Sequence, residues 1–113
     1  MKKVVSLKLN KEFKRAYFQG KFKAHPLLVT YAIRNRLKKP RIGITTSKKI
    51  GCAVKRNRAR RIIKQAFMEI KDEQLLDLNG YDFVFVARAD TPLSTTKLVK
   101  NVMKKQIEFV LKR

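Results

Sequence analysis

Two hydrophobic periods alternate along this chain and divide it into seven elements. Ala59, Ile62, Ile63, Ala66, Phe67 and Ile70 recur at steps of three and four, the spacing of one helical face. This helix is entered through Gly51 and runs out in the segment Lys71 to Asn79, where Leu75, Leu76 and Leu78 pack locally. An earlier helix is predicted from Lys11 to Gln19, with Phe13, Ala16 and Tyr17 on one face and Phe18 off it. Asn10 is its expected N-cap, Glu12 suits the first turn, and Gly20 stops it. A last helix covers Thr95 to Leu111, with Leu98, Val99, Val102, Met103 and Val110 on its apolar side.

Between the helices the period falls to two. Leu27 to Ile33 alternates and is rich in β formers, and Phe22 belongs to a short strand before it. Arg34 to Pro40 is a polar connection, after which Arg41 to Ser47 alternates again. Gly43 within that strand marks a close approach or a bulge. Asn79-Gly80 is a turn, and Tyr81 to Arg88 holds the continuous apolar run Phe83 to Ala87, as in a strand buried on both faces. Asp90 to Ser94 is a turn and cap. The order α-β-β-β-α-β-α predicts an α+β fold, a four-stranded mixed sheet with helices packed on it, in a single domain over 1–113.

Charge changes this picture from a generic α+β domain to one with a defined class of partner. The formal net charge is +21 over 113 residues. Between Phe13 and Met68 there are seventeen Lys and Arg and no Asp or Glu, whereas Glu69, Asp72, Glu73, Asp77 and Asp82 cluster just after the central helix. Repulsion on that scale costs stability unless a polyanion offsets it. The basic residues concentrate where the apolar stripe begins. Lys48, Lys49, Lys55 and Arg56 lead in, Asn57, Arg61 and Lys64 project opposite the stripe, and Arg58 and Arg60 flank it. One face of this helix is therefore built for a core and the other for phosphate oxygens, which the guanidinium fork fits better than an ammonium. A merely solvated face is the bland alternative.

Other chemistries find little support. Membrane spanning requires roughly 18 consecutive apolar residues, and no run approaches that. The basic start Met1 to Ser6 meets Lys8 and Asn10 too soon for a signal sequence. A single cysteine, Cys52, excludes an internal disulfide and suits a reducing, cytoplasmic setting. Neither Cys52 nor His25, the single histidine, has the companions that a zinc site or an activated nucleophile needs. No catalytic residue is expected and no metal ligand is assigned; the acids of the 69–82 segment read either as holders of a divalent ion or as local charge balance at the end of the basic helix. Phe13 and Tyr17 read either as core anchors or as an aromatic lining on which unpaired bases stack.

Val54-Lys55-Arg56-Asn57-Arg58-Ala59-Arg60-Arg61, preceded by Ser47-Lys48-Lys49-Ile50-Gly51, resembles the signature of the protein component of bacterial ribonuclease P. The similarity extends to the Phe13…Tyr17 helix, the strand carrying Tyr31, the Arg41-Ile42-Gly43-Ile44 strand, the strand ending in Ala87-Arg88, and the basic last helix. Cys52 departs from it, standing where that family commonly has a helix-capping Asn. The resemblance implies a small subunit of a ribonucleoprotein endonuclease that removes the 5′ leader of precursor tRNA, with magnesium held by the RNA subunit and none by this chain. It implies a left-handed βαβ crossover around the basic helix, against the general rule. Lys55, Arg56, Asn57, Arg58, Arg60, Arg61 and Lys64 would contact the catalytic RNA. Phe13, Tyr17 and Tyr31, with Lys48 and Lys49 at the mouth, would line a cleft for the leader. The partners implied are the catalytic RNA and precursor tRNA, with the protein a monomer in a 1:1 particle. A structural RNA-binding protein and a free-standing metal-dependent nuclease are the alternatives from other classes.

Overall fold

A computed structural model describes residues 5–112, with the backbone alone at Val5; Met1 to Val4 of the basic start and Arg113 lie outside the described residues. Its elements are β1 (Val5–Ser6), α1 (Asn10–Gln19), β2 (Lys21–His25), β3 (Leu28–Arg34), β4 (Arg41–Thr45), α2 (Ala53–Glu73), β5 (Tyr81–Ala87) and α3 (Thr96–Leu111). Short 3₁₀ turns, Lys48–Ile50 and Thr91–Leu93, precede α2 and α3. The three helices and four longer strands follow the predicted order. The added β1 pairs in parallel with β4 through two residues only, too few to leave a periodic signal.

The sheet runs β1-β4-β5-β3-β2 and is mixed: β4 and β5 are parallel neighbours joined through α2, while β3 pairs antiparallel with both β5 and β2. Successive strand residues face opposite sides. Leu28, Ala32, Ile42, Phe83 and Phe85 therefore share one face, and α2 and α3 cover it. All six members of the predicted α2 stripe are buried there. The Phe67 ring sits 5.8 Å from that of Phe83 and 5.6 Å from that of Phe85. Burial of each such ring is worth about 2–3 kcal/mol. Gln106 of α3 is buried with its amide fully used: it donates to the carbonyls of Lys23 and Leu28 and accepts from Thr30 Oγ1 at 2.6 Å. This ties α3 to the β2–β3 hairpin.

On the opposite face α1 lies across the strands. Gly43 makes this possible: a Cβ there would come within 2.5 Å of the Phe13 ring, so Phe13 seats α1 directly on the β4 backbone. An ion network holds the same helix at its start. Asp82, 2 % exposed, takes both Nε and Nη2 of Arg41, at 2.8 and 2.7 Å, and also Asn35 Nδ2 at 2.7 Å. The third arm of Arg41 reaches Glu12 at 2.6 Å.

Several local expectations change. Asn10 is the first helical residue and not the cap. Leu9 occupies the cap position; its carbonyl accepts from the Glu12 N–H at 3.0 Å, and the Glu12 carboxylate reaches back to accept from the N–H groups of Leu9 and Lys8. The strand expected to reach Ser47 ends at Thr45, where the chain turns so that Ile50 enters the core. Leu98 is exposed; Val99, Met103, Ile107 and Val110 carry the buried face of α3. Of the three leucines after α2, Leu78 is buried and Leu75 is exposed.

Two stability predictions follow from these termini. Cys52, the N-cap residue of α2, makes no side-chain capping bond, so Cys52→Asn should stabilise the fold by about 0.5–1 kcal/mol, read in urea unfolding. Glu12 is held below the usual carboxylate range, first by the Leu9 N–H and then by the Lys8 N–H and the Arg41 guanidinium. Its contribution is complete at neutral pH and is lost as pH falls through that lowered pKa. Glu12→Gln should therefore be less stable at pH 7 and lose stability less steeply with acid, measured by thermal midpoints across pH.

Candidate nucleic-acid interface

The arginine row follows from the pattern of α2. With Ala59, Ile62, Ile63 and Ala66 fixed inward, Lys55, Asn57, Arg58, Arg60, Arg61 and Lys64 are left exposed, and Arg56 is partly so. Among the described residues none of these cations pairs with a carboxylate. The acids go elsewhere: Glu73 and Glu69 take Lys100 of α3 at 2.6 and 3.5 Å, Glu73 also takes Lys104, and Glu12 and Asp82 take Arg41. Of the acidic segment, Glu69 and Glu73 thus serve the α2–α3 seam and Asp82 the Arg41 network. The one side-chain bond within the row, Arg60 Nη1 to Asn57 Oδ1 at 2.9 Å, leaves the guanidinium charge uncompensated. Arg58, Arg61 and Lys64 line a cavity of about 520 Å³ whose far wall includes Thr96, at the positive end of α3. That junction of α2 with the start of α3 is tertiary and leaves no local pattern in the sequence; Thr95, expected as the first helical residue, is the N-cap of α3.

A second surface lies on the α1 side of the sheet. The register stacks its side chains in rows: Ile33, Asp82 and Arg41; then Phe22, Tyr31, Val84 and Gly43; then Ala24, Val29, Val86 and Thr45. α1 sits over the first row and part of the second. Tyr17 reaches from it toward the third, sharing a 2.8 Å hydrogen bond with Thr45 Oγ1 and meeting the Tyr31 ring edge-on at 5.0 Å. Phe22 stacks on the other side of Tyr31, at 5.4 Å between centroids, and is 56 % exposed. Tyr17 and Tyr31 are partly buried. Three aromatic rings thus rim a stretch of sheet that α1 does not cover. Lys48 and Lys49, both exposed, follow the end of β4 that carries Thr45. Phe13 sits beneath this rim as the seat of α1, on Gly43 and Leu7. Phe22 and Thr45 were not singled out from the sequence; the pairing of Phe22 with Tyr31 across the β2–β3 hairpin is what brings it in.

The remaining reactive side chains do ordinary work. His25 Nδ1 accepts from the Leu27 N–H at 3.0 Å, fixing the hairpin turn. Cys52 is exposed, and the N–H groups of Lys55 and Val54 at the start of α2 lower its pKa. Among the described residues no three His, Cys, Asp or Glu side chains gather where they could hold a metal ion. No helix among them is long and apolar enough to cross a membrane.

Comparison with known proteins bears on both surfaces. The family model described as Ribonuclease P matches residues 1–111. The ribonuclease P protein component of Clostridioides difficile is 40 % identical over 103 residues, spanning 88 % of this chain and 89 % of that one. That of Clostridium kluyveri is 40 % identical over 106 residues, spanning 90 % and 94 %. Among solved structures, the Staphylococcus aureus RNase P protein superposes with a TM-score of 0.78 at 29 % identity, covering 97 % of this chain and all of that one. The Thermotoga maritima RNase P protein shares the fold, with a TM-score of 0.74 at 21 % identity over 93 % and 94 % of the two chains. With the model matched from end to end of the described fold and relatives at two-fifths identity, the chain belongs to the ribonuclease P protein family, the protein partner of ribonuclease P RNA in a tRNA-processing ribonuclease.

Proposed function

We propose that the two surfaces divide the work of this subunit between two RNAs. The outer face of α2, through Lys55, Arg56, Asn57, Arg58, Arg60, Arg61 and Lys64, binds the catalytic RNA. The aromatic rim of the sheet binds the single-stranded 5′ leader of precursor tRNA, with Tyr17, Tyr31 and Phe22 offering rings, Phe13 holding α1 in place, and Lys48 and Lys49 meeting the leader phosphates. The observation that carries this reading is the arginine row, exposed along a helix whose other face is wholly buried and free of carboxylate partners among the described residues.

Each part has a physical reason. Phosphate contacts release condensed counterions and supply most of the affinity. Stacking on aromatic rings tolerates any base, so a leader of varied sequence is held without strict readout. Bringing a +21 protein between two polyanions lowers their mutual repulsion. In this reading the chain contributes no catalytic group. Magnesium, held by the RNA subunit, supplies the hydrolytic chemistry, and this chain acts as a single RNA-binding domain, one copy per RNA. The direct test is cleavage of precursor tRNA by the RNA subunit at low magnesium, with and without the chain. Rescue is expected; its absence would leave a structural RNA-binding protein, and cleavage by the protein alone would make it a nuclease in its own right.

Two variants separate the surfaces. Arg58→Ala or Arg61→Ala should weaken binding to the RNA subunit and reduce the slope of log K against log salt by about one. Tyr31→Ala should weaken binding of leader-bearing tRNA by about 1–3 kcal/mol and leave mature tRNA nearly unaffected, both measured on the holoenzyme.

A further inference from the structure

Phe18 is 84 % exposed on α1, with no aromatic or apolar neighbour to account for it in the packing described above. A lone exposed apolar side chain needs no explanation by itself. Its setting is what singles it out. At about 100° per residue, Tyr17, Lys14, Phe18, Lys11 and Arg15 succeed one another around the solvent side of α1, two rings set among three cations. Tyr17 stands on the flank toward the aromatic rim. Arg15 stands on the opposite flank, where its Nη2 donates to the Arg34 carbonyl at the foot of the sheet. There Lys11, Lys14, Arg15 and Phe18 open onto a cavity of about 540 Å³ floored by Arg41 and Asp82. The two carboxylates of its lining, Glu12 and Asp82, both face Arg41, and against them stand Lys11, Lys14 and Arg15 as well, so cations outnumber anions four to two.

We infer that the outer side of α1 is a distal subsite for single-stranded RNA, occupied by leader nucleotides upstream of those in the groove. This inference rests on the leader reading above and extends it. A base stacks on Phe18, the phosphates on either side of it meet Lys14 and Lys11, and the strand ends against Arg15 and the cavity. The path is half the girth of a helix about 10–12 Å across, short enough for a few nucleotides. Charge complementarity selects the occupant: two rings interspersed with three cations suit a strand that carries both bases and phosphates. A second copy of this chain, carrying the same positive charge, would be repelled.

The test uses the reconstituted holoenzyme and two precursor tRNAs, with leaders of about four and about twelve nucleotides. Phe18→Ala should weaken the long-leader substrate about five-fold or more relative to the short one. Phe18→Tyr should restore the difference and Phe18→Leu should not, since stacking needs a π face. At 84 % exposure none of these changes threatens the fold. Lys14→Gln should lower the salt slope for the long leader only. Equal weakening of both substrates, no weakening of either, restoration by Leu, or a change in sedimentation of the free protein would each overturn the subsite. Tyr31→Ala is run alongside: if it fails to distinguish precursor from mature tRNA, the leader reading itself has failed, and if it succeeds, a negative result at Phe18 belongs to the distal subsite alone.

Discussion

The structure depends on the division of α2 into two faces. Its six inward residues lie against the sheet at no more than 9 % exposure, and Phe67 is held between Phe83 and Phe85. That burial fixes the rotation of the helix about its axis, so the guanidinium groups have no freedom to turn inward. A helix so fixed holds the roots of its basic side chains in one row, so meeting phosphate requires ordering of those side chains and no rearrangement of the helix. The stability of the core and the readiness of the RNA surface are the same fact seen from two sides.

The opposite sheet face follows a different logic. There α1 is attached by the Phe13 ring on Gly43, the buried Ala16, the Arg41–Asp82–Glu12 network, the bond from Arg15 to Arg34 and the contacts of Tyr17 with Thr45 and Tyr31. Replacing a buried pair by apolar residues often costs nothing, so stability alone does not explain such a network. It does fix where α1 stops. Because the helix is held at the foot of β4 and β5, the row from Ala24 to Thr45 is left uncovered, with Tyr17, Tyr31 and Phe22 at its border. A leader groove of this kind is formed by what the helix leaves open.

Much of this was legible in the chain. The α2 stripe, the apolar run of β5 and the close approach at Gly43 each come from a local pattern with one dominant cause, and each survives in the structure. What escaped was tertiary or very short. Two paired residues make β1, below any periodic signal. Asn10 is drawn into the first turn because the Glu12 carboxylate reaches back to the N–H groups of Leu9 and Lys8, which sets the start of the helix one residue earlier. Leu98 is exposed because the buried face of α3 is centred on Val99, Met103, Gln106, Ile107 and Val110, and at about 100° per residue Leu98 is turned away from it. The RNA surfaces divided in the same way. The arginine row lies on one element and could be read directly, whereas Phe22 and Thr45 join Tyr17 and Tyr31 only through strand pairing.

Cys52 provides the most direct measurement of the central claim. It is the single cysteine of the chain, is exposed, and stands at the N-cap position of the helix that carries the arginine row. An iron chelate tethered to its sulfur generates hydroxyl radicals at the start of α2 and cuts whatever RNA backbone lies beside it. If the arginine face docks on the catalytic RNA, the assembled particle should show a compact set of cuts in that RNA, suppressed by high salt. Cuts confined to the precursor tRNA, or none above the level of free chelate, would contradict the account.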